Sequence, residues 1–388
     1  MTGPVAPATP ETGGLASRGS WERPVLAVLT LLLLSFGLVN LYSASAPLAQ
    51  RQGLPDTFYL LRQAVGAVAG LVVLVVFARI PYQTWRRFAW PLVFASSVVL
   101  VVLLLPVARG IAPEINGARR WLELPGFRFQ PSELAKLAIV VWTAHIAVAG
   151  QHRFRSLSRG MLPFLLVWAV LIVPIVLEPD LSTAFVVGAG AAITLFVGGA
   201  RIGHFVFLGL LLAPVGALLL GTATRRARIL AFRDLATHAE GAGYQVYQSL
   251  IALGSGGIAG RGFGEGRQKF GFVPEPHNDF IFSMIGEEWG FLGVGTLLGL
   301  YVTILFIGYR IAAGATDRFG QLLATGITSI LALHALLHMG VGLGLVPPTG
   351  LALPLVSYGR SNLLVTMAGI GMLLAVARVR PAAGVEGT

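Results

Sequence analysis

Between Gln268 and Phe282 the chain gathers Lys269, Glu275, His277 and Asp279, although charged residues make up only 12% of the protein. An acid beside a cation and an imidazole can move protons, and charge set into apolar sequence marks a site because burying it in a membrane is costly. Asp279 stands at the mouth of a long apolar run, next to a loop bearing several cations, which suits a carboxylate kept ionised as a base. Glu275 is the second candidate base, although Pro274 and Pro276 also read as a rigid loop wall. A second polar segment, Arg109 to Lys136, holds Arg119, Arg120 and Trp121. Two readings fit it: an interface cap with Trp121 as belt aromatic and the arginines on lipid phosphates, or a basic surface for an anionic substrate.

Other polar residues have plainer readings beside the functional one. Pro131 and Ser132 are helix-start residues, which puts Glu133 and Lys136 one turn apart as a facing i,i+3 pair. Glu287 and Glu288 read as partners of an Arg or Lys from another helix, or as the wall of a polar cavity. Asp180, in the turn Glu178-Pro179-Asp180, either caps the following helix or lines the same cavity. His334 and His338 have metal-ligand spacing but no acidic companion, so two packed helix histidines are expected. The glycines from Gly254 to Gly266 lack a Walker ending and strand–helix alternation, so they are read as a backbone turning against neighbouring helices. Tyr244 to Leu253, apolar on one face, is expected to lie in the membrane interface.

The elements that must position these groups are membrane helices. Hydrophobic residues are 55% of the 388 and mean hydropathy is +0.77. Charge-free stretches separate Arg23 from Arg51, Arg62 from Arg79, Arg87 from Arg109, Lys136 from Arg153, and Arg159 from Glu178. More separate Asp180 from Arg201, Arg201 from Arg225, Glu288 from Arg310, Arg318 from Arg360, and Arg360 from Arg378. A span needs about 20 apolar residues, so each stretch supplies one, and Pro347-Pro348-Thr349-Gly350 ends the helix in the longest as a partly buried loop. The expected architecture is an all-α polytopic membrane protein with ten transmembrane helices. A long extracytoplasmic loop, 222–279, joins the seventh and eighth helices of a membrane domain spanning 24–380. Residues 1–23 and 381–388 are cytoplasmic tails, the first disordered, with Lys and Arg of the short loops setting the orientation. Ser43-Ala44-Ser45-Ala46 resembles a cleavage site, but the apolar run before it exceeds a signal sequence, so an uncleaved first span is expected. No cysteine is present, which excludes disulfides and thiolate metal sites. The net charge of +11 is spread over many loops, which suits anionic membrane lipids rather than nucleic acid.

Several motifs, in order along nearly the whole chain, resemble the SEDS family (shape, elongation, division and sporulation). They begin at Leu41-Tyr42-Ser43-Ala44-Ser45 and include Asn116-Gly117-Ala118-Arg119-Arg120-Trp121, Phe129 to Lys136, Pro179-Asp180-Leu181 and Tyr244 to Ala252. Pro274-Glu275-Pro276-His277-Asn278-Asp279-Phe280 and Ser357-Tyr358-Gly359 complete the set. The Asn-Gly-Ala-Arg-Arg-Trp form and Arg267 to Gly271 are more similar to the division branch than to the elongation branch. The resemblance implies a ten-helix peptidoglycan glycosyltransferase that polymerises lipid II at the outer face of the cytoplasmic membrane. The essential acid then maps onto Asp279. The conserved loop cations map onto Arg119, Arg120, Lys136 and Lys269, and Trp121, Glu275, His277 and Ser357 join them as substrate-binding candidates. The implied partners are lipid II, a class B penicillin-binding protein transpeptidase, and divisome proteins at the septum. Departures from the family pattern are Arg360 and His338, where Gly and Asn are usual, Glu178 for Gln, Ser182 for Gly, and the added Pro348.

That reaction asks for a base at the acceptor 4-hydroxyl and for positive charge on the leaving diphosphate, with or without a divalent cation (Mg or Mn). A lipid II flippase is the competing expectation, since ten helices with proline breaks and buried acids would suit a transporter. The same polymerase serving elongation is another. A transporter needs polar groups reaching both faces, whereas the densest constellation here is confined to the outer loops.

Overall fold

The computed structural model describes residues 21–378, apart from 116, 125, 151–153, 155–159, 234–236, 238–239 and 242. Most of the expected N-terminal tail, the C-terminal tail, Asn116 and Arg153, Arg155 and Arg159, expected in a cytoplasmic loop, lie outside the described residues. The helices run in the order α1 (Glu22–Arg51), α2 (Phe58–Arg79), α3 (Trp85–Leu104), α4 (Pro131–Gly150), α5 (Leu162–Leu177) and α6 (Leu181–Val197). They continue with α7 (Ile202–Leu220), α8 (Ala223–Arg233), α9 (Tyr244–Gly256), α10 (Ile281–Ala313), α11 (Arg318–Gly342) and α12 (Arg360–Arg378). Seven of them, α1 to α4 and α10 to α12, are long and apolar enough to cross a membrane, and α5, α6 and α7 are shorter apolar helices. On α2 the exposed residues Leu61, Val65, Val68 and Val72 are as apolar as the buried ones, the arrangement a lipid solvent permits. Glu22 in the first turn and Arg51 in the last complement the dipole of α1, which runs unbroken past the signal-like Ser43 to Ala46.

Helices α2 and α12 pack closely against each other. Gly66 and Gly70 on α2 face Arg360 and Met367 of α12, and Gly371 of α12 faces Leu74 and Phe77 of α2. Without a hydrophobic drive between helices in lipid, such small-residue seams let the backbones approach and gather dispersion contacts. One continuous apolar core joins α1 to α6 with α10 to α12. Helix α7 stands at its edge, with no buried side chain among those described.

The segment expected as a long polar loop carries helices of its own, α8 and α9. Val246, Ser249 and Ala252 of α9 are buried, so this helix packs into the protein on one face instead of only resting in the interface. Ser249 Oγ lies 2.5 Å from Ser283 Oγ of α10 and donates to Gly342 O of α11 at 2.8 Å.

Helix α10 breaks at Gly290 (φ 64°, ψ −159°). The break strands four backbone groups, and the glycine-rich turn after α9 takes all four. Glu287 O and Glu288 O accept from Arg261 N and Gly262 N, both at 3.0 Å. Phe291 N and Leu292 N donate to Gly257 O (2.9 Å) and Ile258 O (3.1 Å). Unmade backbone hydrogen bonds are expensive in an apolar setting, so the turn is the necessary complement of the kink. A side chain at Gly290 would strike Gly260 N and Ile258 O, and its φ/ψ is tolerated by glycine alone. Gly290→Ala is expected to cost about 2–4 kcal/mol, read as a lower unfolding midpoint in detergent, whereas Gly299→Ala, in open space, leaves it nearly unchanged.

Candidate active site

The sequence-predicted residues gather at the end of the bundle where α2, α4, α6, α10 and α12 begin. Two short strands, β1 (Leu122–Leu124) and β2 (Phe127–Phe129), form an antiparallel hairpin there, leading into α4. Pro131 opens α4 as the sequence predicts, but Ser132 does not cap it: its buried Oγ has no hydrogen-bond partner.

Asp279 lies two residues before α10, in a turn where Asn278 N and Asp279 N both donate to Glu275 O at 3.1 and 3.3 Å. Glu275, at φ 51°, adopts the left-handed backbone rare outside glycine, a strain that the surrounding contacts must hold. Its side chain is 61% exposed. Facing Asp279 is Gly350 of the α11–α12 loop, where a methyl group would stand 3.9 Å from Asp279 Oδ2. That loop is fixed from three sides. Tyr301 of α10 donates to Pro354 O, His338 Nδ1 to Leu351 O at 2.7 Å, and Ser357 Oγ accepts from Leu353 N and donates to Asn278 O. Ser357, a substrate-binding candidate, is 3% exposed, and its hydroxyl is engaged in joining two loops.

His277 is buried against Tyr59 and Tyr358, with ring centroids 4.7 and 5.5 Å away. Burial pushes its imidazole down to about 4, so it is neutral at pH 7. Tyr59 and Gln63 of α2 are site residues that sequence reasoning missed. Gln63 donates to Ser357 O at 3.2 Å and accepts from Gly359 N at 3.3 Å. The one available signal was the polar cluster of Tyr59, Arg62 and Gln63 at the start of an apolar helix.

The four predicted cations separate into two kinds. Arg119, Arg120 and Trp121, just before β1, are all half-buried. Arg119 pairs with Glu114 at 3.2 Å, and Arg120 donates to Glu178 O and Pro179 O at 2.8 and 2.7 Å. Lys136 and Lys269 are buried. Lys136 Nζ contacts Glu133 at 2.5 Å, the i,i+3 pair expected from the spacing, and His334 Nε2 at 3.0 Å. Lys269 Nζ contacts Glu288 at 2.6 Å and Ser43 Oγ at 2.8 Å. The cation expected for Glu288 therefore comes from the loop and not from another helix. Among the described residues Glu287 has no cationic side chain as its hydrogen-bond partner but accepts from Arg267 N and Gln268 N at 2.8 and 3.1 Å, tying the same loop down.

Asp180 caps α6 through Thr183 N at 3.1 Å and accepts from Gln130 Nε2 at 3.2 Å. Beside it Glu178 is buried with neither carboxylate oxygen hydrogen-bonded, and burial followed by the charge of Asp180 pushes it up to about 8 against the pull of Arg120. Among the described residues no three Asp, Glu or His side chains converge to hold a divalent cation.

A family model described as Cell cycle protein, for FtsW, RodA and SpoVE, matches residues 24–381. This chain belongs to the SEDS family. A SEDS relative from Trichlorobacter lovleyi, named "Probable peptidoglycan glycosyltransferase FtsW", is 41% identical over 90% of this chain and 91% of its own. Stage V sporulation protein E of Bacillus subtilis is 39% identical over 91% and 96%. Among solved SEDS-like structures, a chain from a study of polymerization and crosslinking by a peptidoglycan synthase complex superposes with TM-score 0.76 and 30% identity, covering 91% of this chain and 97% of that one. The rod shape determining protein RodA of Thermus thermophilus gives 0.67 at 31% identity, covering 92% and 96%.

Two expectations follow from the buried groups. Lys269→Met strands Glu288 and is expected to destabilise by about 3–5 kcal/mol, while Lys269→Met with Glu288→Leu recovers most of the loss. Additive unfolding midpoints in detergent would refute that coupling. For His277 the folded pKa is below the ordinary value, so its stabilising contribution is full above pH 6.5 and is lost as pH falls towards about 4. At pH 5 the loss is roughly 2 kcal/mol, and His277→Gln should flatten the fall in midpoint between pH 7 and 5.

Proposed function

We propose that this chain is a peptidoglycan glycosyltransferase that polymerises lipid II, with Asp279 as general base. The observation that carries the reading is Asp279 in a strained, tightly anchored turn at the end of the bundle where five helices begin. Helix N-termini carry partial positive charge, and Arg119 and Arg120 add full charges, so this end favours an anionic diphosphate. The activity in the names of the SEDS relatives supports the same reaction.

In this scheme the Asp279 carboxylate takes the proton of the acceptor 4-hydroxyl as that oxygen bonds to the anomeric carbon of the donor sugar. The bond from that carbon to the phosphate oxygen breaks, and undecaprenyl pyrophosphate leaves as an anion. A base so placed typically contributes about 10²–10⁴-fold. Arg119, Arg120 and Trp121 form the accessible wall, with Glu275 and His277 flanking the base. Lys136, Lys269 and Ser357 serve through the ion pairs and hydrogen bonds that hold the site's loops.

The proposal extends to topology. The seven long helices and the three shorter apolar ones make ten spans in a membrane domain of residues 24–380, with both tails cytoplasmic. Segment 222–279 and the Asp279 end then face outward, where lipid II is polymerised. The FtsW names among the relatives favour septal division over elongation, and a class B penicillin-binding protein transpeptidase is the proposed partner among divisome proteins. Purified protein with its transpeptidase and lipid II should yield glycan polymer, and folded Asp279→Asn should yield none. Polymer from the variant at the wild-type rate would sink the base assignment. No polymer from the wild type, with labelled lipid II crossing proteoliposomes, would replace the enzyme with a transporter.

A further inference from the structure

Residues 357–361 touch, one after another, the separate parts of the site. Ser357 Oγ donates to Asn278 O at 2.7 Å and Tyr358 N to His277 O at 3.0 Å, which holds the Asp279 turn. Gly359 N donates to Gln63 of α2 at 3.3 Å. Arg360 Nη1 donates to Gly126 O at 2.7 Å, and its guanidinium lies over the Phe127 ring at 5.1 Å. Ser361 Oγ donates to Arg128 O at 3.0 Å and accepts from Gln130 N at 3.1 Å.

The hairpin that Arg360 and Ser361 grip has strands of only three residues. A two-stranded ribbon that short has no stability of its own, so contacts from elsewhere must order it. Ser361 reaches the base of the hairpin, and Arg360 reaches its turn. The stem of Arg360 fills the space above Gly66, where a side chain on α2 would come within 2.9 Å of Arg360 Cγ. A cation at the first residue of α12 opposes that helix's dipole, a cost that the hydrogen bond and ring contact offset. The far side of the same loop is tied through Arg120 to Glu178 and Pro179, and through Gln130 to Asp180.

We propose that Arg360 is a positioning residue that clamps the β1–β2 hairpin onto the α2–α12 seam and so sets Arg119 and Arg120 in place relative to the Asp279 turn. The kinetic half of this inference rests on the glycosyltransferase reading; the clamp does not.

Because the chain has no cysteine, Glu123→Cys on exposed β1 can carry a single nitroxide label in the full-length protein in lipid nanodiscs. Arg360→Ala is expected to raise the label's mobility. Arg360→Lys, which keeps a cation over Phe127 but loses the planar fork, should fall between the two. In lipid II polymerisation with the unlabelled protein, Arg360→Ala should raise KM by about tenfold while kcat changes less than about twofold, the pattern of lost uniform binding. Arg360→Lys should recover part of that affinity. An unchanged spectrum in folded Arg360→Ala overturns the clamp. A mobile hairpin with unchanged KM overturns its link to the arginines. If the wild type makes no polymer, the proposed function fails, while the label comparison still decides the clamp.

Discussion

The structure depends on the matching of a broken helix to the turn that repairs it. A kink in α10 at Gly290 leaves two carbonyls and two amides unpaired in an apolar bundle, and residues 257–262 supply their partners. Once that turn is locked, the following residues have little latitude. Arg267 and Gln268 are drawn to Glu287 and Lys269 to Glu288, so the loop enters the Asp279 turn from a fixed point. The two buried acids on α10 are thus anchors for a loop, which explains how ionisable groups persist so deep in the protein: each is satisfied, one by backbone amides and one by an ammonium.

The site divides into a rigid interior and an accessible rim. Lys136 and Lys269 are paired with Glu133 and Glu288 beneath the surface. Arg119 and Arg120 lie half-buried outside them, paired with Glu114 and with the carbonyls of Glu178 and Pro179. Charge buried in a pair orients its neighbours but does little at a distance, whereas a rim charge attracts ligand without fixing much. The loop from α11 to α12 sits between these layers, held by Tyr301, His338 and Ser357, and brings Gly350 to the carboxylate.

Much of this was legible in the sequence where the relevant physics is local. The Glu133–Lys136 pair follows from helical spacing, Asp180 as a cap follows from its place before an apolar run, and Asp279 stood out because charge is scarce. The motifs around Asp279 also carried the family. What escaped reading was long-range. Ser43 meets Glu288 across 245 residues, and Gln63 meets Ser357 across 294, pairings that no local pattern encodes. Residues 222–279 read as a loop because their charges and glycines interrupt every long apolar run, yet Tyr244–Gly256 forms a helix that buries one side on α10. Arg360 read only as a departure from a motif, since its partners lie in a hairpin too short to show in the sequence.

The glycine seam between α2 and α12 has a consequence for how the protein is made. Helix α2 is synthesised well before its partner α12, with helices α3 to α11 between them. Until α12 is made, Gly66 and Gly70 lack the Arg360, Leu363 and Met367 side chains that they pack against. Completion of the α2–α12 seam therefore waits for every helix between them. The hairpin lacks its contacts with Arg360 and Ser361 until then.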